Sequence, residues 1–152
     1  MATLPDAATL LVRTDFTDDD AWAQVRDEAQ REYGPDGFRA YVEPVSDHGW
    51  AGATWEAVKS AAPAGGAAGP SVLFIADSAT FASPEHPILA VDLQDRYLSV
   101  AEFGEIGDRT PFRCIPSELW AVENNLNIAN MDWEDFADEV DDDGVYRGPE
   151  LS

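Results

Sequence analysis

The chain has 152 residues, and its 30 acidic and nine basic side chains give it a formal charge of −21 at pH 7. Such a charge repels nucleic-acid backbones and anionic membranes, which argues against direct binding to either. The single cysteine, Cys114, excludes an intramolecular disulfide framework and a CxxC metal site. With 45% hydrophobic residues and five tryptophans, residues 1–152 are predicted to form one domain with a substantial core.

No stretch of the sequence has the pattern of a targeting or membrane-spanning segment. Residues 1–6 lack the basic and apolar regions of a secretory signal. No window approaches the roughly 20 apolar residues that a membrane-spanning helix needs. We therefore expect a cytoplasmic protein.

The first half of the chain predicts the order strand, helix, strand, helix. Residues 9–14 form an apolar run bounded by polar residues, which is typical of a strand. Residues 17–33 carry apolar side chains at helical spacing after a capping threonine, so they predict an amphipathic helix. A second strand is predicted over residues 38–42, and a second helix from the N-cap Thr54 to about residue 62.

The second half predicts further strands and then two helices. Residues 72–76 are apolar without alternation, as in a strand covered on both faces, and we place this strand at the centre of the sheet. Further strands are predicted over residues 88–93, 97–100 and 112–115. One helix is predicted to begin at Pro116 and another after the N-cap Asp132.

This order of elements indicates an α/β fold, with α+β as the alternative. We expect a mixed, partly parallel sheet of about five to six strands with helices packed on it. Right-handed crossovers would make the strands near residues 10, 40 and 73 parallel. Residues 141–152 follow the last predicted helix and are expected to form a flexible C-terminal tail.

Three carboxylates lie near the ends of predicted strands. If the strands are parallel, Asp15 and Asp77 follow carboxyl ends and Asp92 lies near another, at the edge where α/β sheets bind ligands. Together they could hold Mg²⁺, but we favour the interpretation that each terminates a strand or caps a helix. Because no Walker A loop or GxGxxG motif accompanies them, the sequence predicts no cofactor.

His86 lies between two prolines in a predicted rigid turn. Its imidazole could pair with Asp77 or Asp92 as a general base. We favour a role in capping backbone groups, since short polar side chains at such turns commonly bond to the main chain. No GxSxG motif surrounds any serine, and the balance of these signals is against an enzyme.

Three arginines lie within predicted strands: Arg13, Arg39 and Arg113. A basic side chain in such a position is expected to pair with a carboxylate. Candidate partners are Asp15, Glu43 and Asp92.

The last third of the chain contains a cluster of amides, which we call the amide cluster. Its residues are Glu123, Asn124, Asn125, Asn127 and Asn130. Asparagine is a poor interior helix residue, so such a cluster requires either exposure or specific partners. It forms either a junction in which asparagine ends one helix and caps the next, or a polar patch that binds a ligand or a protein backbone.

A dense acidic run follows the amide cluster. Residues 131–143 contain eight acidic side chains and no basic one. The apolar residues of this run recur at helical spacing and are expected to face the core, which leaves Glu134, Asp135 and Asp138 towards water. Charge complementarity would speed binding of a basic protein and make it salt-sensitive.

Three segments carry a resemblance to a known family. They are residues 10–16 (LLVRTDF), 84–93 (PEHPILAVDL) and 116–133 (PSELWAVENNLNIANMDW). They resemble a family of small acidic actinobacterial proteins, of the Streptomyces type, whose function is unknown. The likeness covers most of the chain; it implies a bacterial cytoplasmic origin and brings no activity or catalytic residue with it.

The sequence as a whole predicts a non-enzymatic protein-binding domain, such as an immunity or accessory protein. Its acidic C-terminal helix and the amide cluster would engage a basic protein. One alternative is an enzyme of secondary metabolism that uses His86 with Asp77 and Asp92. Another is a nucleic-acid mimic that inhibits a DNA-binding or RNA-binding protein.

Overall fold

A computed structural model describes residues 4, 9–62, 70–93, 110–128, 131 and 133–148. The strand predicted over residues 97–100 lies outside the described residues. So do Asn130 and the proposed N-cap Asp132.

The strands of the protein form one mixed sheet. They are Thr9–Arg13 (β1), Val42–Val45 (β2), Val72–Ala76 (β3), Ile88–Asp92 (β4), Phe112–Cys114 (β5) and Val145–Tyr146 (β6). Their spatial order is β2-β1-β3-β4-β5-β6. β1 is parallel to β2 and β3, β4 is antiparallel to β3 and β5, and β6 is parallel to β5. The predicted α/β class, the mixed sheet and the parallel first three strands are confirmed.

Five α-helices occur in the described part of the chain. They are Asp19–Gln30 (α1), Trp55–Ala61 (α2), Ser78–Ala82 (α3), Leu119–Asn127 (α4) and Trp133–Ala137 (α5). Short 3-10 helices span His48–Trp50 and Pro116–Glu118. Thr54 caps α2 as predicted, whereas Asp18 rather than Thr17 caps α1 by accepting a hydrogen bond from the Ala21 N–H.

The core lies on both faces of the sheet. On one face Leu11 and Phe74 belong to a cluster that includes buried side chains of α1, α4 and α5. On the other face Leu10 and Val12 cluster with Trp50 and α2. All five residues of β3 are buried, which explains why that segment lacks the alternation of a one-sided strand.

Two strand predictions differ from the structure. β2 begins at Val42 and not at residue 38, because residues 34–37 form a tight turn in which Gly34 and Gly37 have φ of +77° and +68°. The main chains of Tyr33 and Phe38 close this turn by hydrogen bonding to each other. The strand therefore begins four residues later than the sequence predicted.

The second difference concerns the predicted C-terminal tail. Val145 and Tyr146 are buried and pair with β5 as an edge strand, so this part of the segment 141–152 is not a tail. A turn at Gly144, whose N–H donates to the Asp141 carbonyl at 2.8 Å, directs the chain back to the sheet. β6 has only two residues, which is too short a segment for hydrophobic periodicity to indicate a strand.

Asn127, the last residue of α4, connects that helix to the amino ends of two parallel strands. Its Oδ1 accepts a hydrogen bond from the Ser71 N–H just before β3, and its Nδ2 donates to Thr9 Oγ1 at the start of β1, both at 2.8 Å. Thr9 and Ser71 are buried. The amide therefore satisfies polar groups that would otherwise be buried without partners.

Replacing Asn127 with alanine should lower the free energy of unfolding by roughly 1–2 kcal/mol, because the Ser71 N–H and the Thr9 hydroxyl lose their partner. Urea unfolding followed by tryptophan fluorescence measures the change. The control is Ile128→Ala at the next position, where the side chain is 70% exposed. We expect that control to stay within about 0.5 kcal/mol of the wild type; equal values for the two variants would contradict the connecting role of Asn127.

Candidate functional site

The carboxyl ends of β1 and β3 open into a cleft, which we call the strand-end cleft. It consists of two cavities of about 570 and 540 Å³ that share Thr14, Ala53 and Asp77 in their linings. Cavities of this size hold small molecules in other proteins, and the carboxyl edge of parallel strands is where open α/β sheets bind ligands. The fold thus places a concave surface at the edge that the sequence predicted.

Asp77 has two structural roles at this edge. It caps α3 by accepting a hydrogen bond from the Thr80 N–H at 3.1 Å, and it pairs with both terminal nitrogens of Arg113 at 2.9 and 2.8 Å. Burial alone would raise the pKa of Asp77, but the hydrogen bonds and charge of Arg113, together with Thr80, outweigh it and lower that pKa. Asp77 is therefore a paired, ionised carboxylate.

The three carboxylates considered as a possible Mg²⁺ site, Asp15, Asp77 and Asp92, are not brought together. Asp15 lines the strand-end cleft with Asp77. Asp92 lies opposite Val72, at the other end of β3, because β4 runs antiparallel. Val72 precedes Asp77 by five residues, which corresponds to about 16 Å of extended chain. Among the described residues, no group of three histidine, cysteine or acidic side chains is arranged to hold a metal ion.

The alternative in which His86 pairs with Asp77 or Asp92, which the sequence did not favour, does not occur either. The His86 Nδ1 lies 2.6 Å from Glu28 Oε1 on α1, and Asp77 is already bound to Arg113. His86 has a φ of 51°, in the left-handed region that non-glycine residues seldom adopt. The turn between the prolines thus directs the imidazole to a neighbouring helix and not into a site with two aspartates.

The strand arginines find partners that the sequence did not specify. Arg13 is buried and donates to Asp19 Oδ1 at 2.8 Å, whereas Asp15 contributes only its backbone carbonyl. The Arg39 guanidinium lies 5.1 Å from the centre of the Tyr41 ring. The prediction that Arg13 pairs with a carboxylate is confirmed, but the partner is Asp19 and not Asp15, Glu43 or Asp92. Asp19 is the first residue of α1, so the pattern of the strand alone could not indicate it.

Replacing Asp77 with asparagine should cost roughly 2 kcal/mol of unfolding free energy at pH 7, since asparagine can still cap α3 but leaves Arg113 without its countercharge. The pKa of Asp77 is lower in the folded chain than in the unfolded chain. The contribution of Asp77 to the free energy of unfolding is therefore complete above about pH 4. It is lost as the pH falls through the pKa that Asp77 has in the folded chain. Urea unfolding at pH 7 and in steps below pH 4 measures this dependence.

Asp36→Asn is the control for this experiment, because Asp36 is exposed. We expect it to stay within about 0.5 kcal/mol of the wild type at pH 7. A cost for Asp77→Asn that did not decrease at low pH would show that the loss comes from the helix cap and not from the ion pair.

The described members of the amide cluster make contacts within the protein. Glu123 Oε1 accepts a hydrogen bond from the Tyr41 N–H at 3.2 Å, and Asn124 Nδ2 donates to the Arg39 carbonyl at 3.3 Å. Asn125 Nδ2 donates to the Ala121 carbonyl of its own helix at 2.8 Å. Glu123, Asn124 and Asn127 thus fasten α4 to the strands and to the segment before β2. The described contacts therefore favour a structural junction over an open ligand patch.

Glu123 is buried, and burial raises its pKa to about 7, although the Tyr41 N–H acts in the opposite direction. Between about pH 4.3 and 7 the folded chain retains a proton that the unfolded chain has released. The protein should therefore become less stable as the pH rises through this interval, and the cost should be constant above it.

Glu123→Gln should remove this cost because glutamine resembles the protonated carboxyl. We expect the variant to exceed the wild type by roughly 1–2 kcal/mol at pH 8 and to equal it near pH 4, as measured by urea unfolding. Glu32→Gln, at an exposed position, serves as the control and should show no such pH dependence. A constant difference across the pH range would contradict the assigned titration.

The helix α5 separates apolar from acidic side chains. Trp133 and Phe136 are only 3% and 1% exposed and pack in the core. Five exposed carboxylates lie on this helix and on the residues after it, and we call them the acidic face. They are Glu134, Asp135, Asp138, Glu139 and Asp142.

Arg147 neutralises the carboxylates beside the acidic face. It pairs with Asp141 and Asp143 at 2.7 Å each and with Glu85 at 2.8 Å. Sequence reasoning missed this cluster because Arg147 fell in the segment predicted to be a tail. No side-chain hydrogen bond or ion pair in the described part of the chain involves Asp138, Glu139 or Asp142.

A family model described as a domain of unknown function (DUF6924) matches residues 8–149. The chain belongs to this family, in agreement with its resemblance to proteins of unknown function. No curated protein and no solved structure shows significant similarity to it. None of the helices in the described ranges has the length and apolar character needed to cross a membrane.

Proposed function

We propose that this protein is a non-enzymatic protein-binding domain, of the immunity or accessory kind, whose acidic face engages a basic partner. The observation that carries the proposal is the separation of roles on α5. Its aromatic residues are buried in the core, whereas all of its carboxylates are exposed. The exposed carboxylates of the acidic face therefore contribute little to the packing of the core.

The charge of the whole chain supports the same function. A formal charge of −21 attracts a basic protein at long range and raises the rate of encounter. At physiological salt this attraction extends over about 8 Å, so the local distribution of carboxylates decides where the partner docks. The acidic face offers such a location because three of its carboxylates, Asp138, Glu139 and Asp142, make no side-chain hydrogen bond or ion pair in the described part of the chain.

The chemistry of the face indicates the type of complex. Since Trp133 and Phe136 are buried, they cannot serve as aromatic anchors for a partner. Binding would depend on ion pairs between the carboxylates and lysine or arginine side chains, with rapid association and a strong dependence on salt. The resemblance of the sequence suggests that the encounter takes place in a bacterial cytoplasm.

The enzyme alternative has no comparable support, because His86, Asp77 and Asp92 are separated in the fold. The nucleic-acid-mimic alternative shares the acidic face with our proposal. It makes a different prediction, namely that DNA or RNA competes with this protein for its partner.

Charge reversal tests the proposal. Asp138→Lys with Glu139→Lys should weaken binding of the captured partner by about tenfold or more, equivalent to about 1.4 kcal/mol, because like charges would then face each other. Quantitative affinity capture from a lysate of the source organism identifies the partner. Titration of the purified partner at two salt concentrations then gives the affinities.

The matched control is Glu32→Lys with Asp36→Lys, which changes the net charge equally at exposed positions outside the acidic face. It should leave the affinity within about twofold of the wild type. If both double variants weakened binding equally, the affinity would depend on net charge alone, which would contradict docking at the acidic face. Binding that is independent of salt would also contradict the proposal.

A further inference from the structure

Two hydrogen-bond donors of Arg113 have no acceptor within the described ranges. Its Nη1 donates to Asp77 Oδ1 at 2.9 Å and to the Pro87 carbonyl at 3.3 Å, and its Nη2 donates to Asp77 Oδ2 at 2.8 Å. This leaves Nε–H and the second hydrogen of Nη2, which lie on one edge of the planar guanidinium. Among the described residues, neither has an acceptor.

The unused edge is held in a fixed position. Asp77 is immobilised by Thr80, whose N–H donates to it at 3.1 Å and whose hydroxyl donates to the Pro87 carbonyl at 2.8 Å. Arg113 lines the strand-end cleft, and its side chain is 23% exposed. An arginine edge held in this way is suited to bidentate recognition of a carboxylate.

The charges around the cleft restrict which carboxylate could enter. Asp77 already balances Arg113, and Asp15 and Glu56 add two further negative charges to the lining. A phosphate or a dicarboxylate would therefore meet net repulsion. A ligand that carries its own positive charge avoids this repulsion, because an ammonium group can lie against Glu56 while the carboxylate binds Arg113.

The remaining lining favours an apolar substituent on this ligand. Apolar side chains line the same cavity as Arg113: Trp55, Ile75, Leu89 and Pro111. Three threonines add polar side chains to the lining: Thr14, Thr54 and Thr110. The volume of about 540 Å³ lies in the range of small-molecule sites.

We propose that the strand-end cleft binds a free α-amino acid with an apolar side chain. The carboxylate binds the Nε and Nη2 edge of Arg113, the ammonium lies against Glu56, and the side chain packs against Trp55. This binding site is separate from the acidic face and does not depend on the function proposed for that surface.

Calorimetric titration of the full chain with L-leucine and L-phenylalanine tests the proposal. L-leucinamide lacks the carboxylate and should not bind, whereas N-acetyl-L-leucine lacks the ammonium and should bind about tenfold more weakly. Inorganic phosphate should not bind. Failure of both amino acids to bind below about 10 mM would overturn the proposal, as would phosphate binding comparable to that of leucine.

Two variants locate the site. Arg113→Lys keeps the charge beside Asp77 but removes the bidentate edge, and should weaken leucine binding by about tenfold or more. Arg147→Lys, at an arginine outside the cleft lining, is the matched control and should leave leucine binding unchanged. Equal affinities for the wild type and Arg113→Lys would overturn the assignment.

Glu56→Gln provides a test that does not depend on Arg113. Glu56 is exposed, so the variant should fold. It should weaken leucine binding by about tenfold and leave N-acetyl-L-leucine binding unchanged, because only leucine carries the ammonium. Equal weakening of both ligands would overturn the assigned orientation. Binding of a peptide with a free C-terminus, but of neither free amino acid, would replace the proposal with peptide recognition.

Discussion

Burial of both faces of the central strands is the constraint on which the rest of this structure depends. Every residue of β1 and β3 is buried, so helices must cover both sides of the sheet. That covering is provided by helical connections between β1, β2 and β3, which make these strands parallel. Parallel strands bring their carboxyl ends to one edge, and there the strand-end cleft opens. The candidate ligand site is thus a direct consequence of how the core is covered.

The same fold has to accommodate a large excess of negative charge. Repulsion among the carboxylates opposes the compact state, and a few arginines compensate for it locally. Arg13 holds Asp19 at the start of α1, Arg113 holds Asp77 at the cleft, and Arg147 holds two aspartates next to the acidic face. These pairs are placed where strands meet helices or loops. The exposed carboxylates without a side-chain partner in the described part of the chain, Asp138, Glu139 and Asp142, lie on the turn after α5 and beside it, so they are a local property of one surface.

Two surfaces of different chemistry result from this arrangement. The acidic face is exposed and polar and lies over a buried aromatic pair, which suits contact with another protein. The strand-end cleft is concave and mixes apolar walls with a balanced ion pair, which suits a small molecule. The amide cluster belongs to neither surface, because Glu123, Asn124 and Asn127 bond to β1, the segment before β3 and the segment before β2. Its polarity serves the junction between α4 and the sheet.

The sequence by itself determined the α/β class, the buried central strand, the cap of α2 and the apolar stripe of α5. Each of these follows from local spacing or from a single capping side chain. Only the tertiary structure decided the direction of β4, the addition of β6 and the partners of Arg113 and His86. Strand direction depends on how the chain returns to the sheet, and ion-pair partners depend on groups brought together from distant segments. Asp92 shows the consequence: its position after an apolar run suggested the same edge as Asp77, and an antiparallel strand placed it at the opposite one.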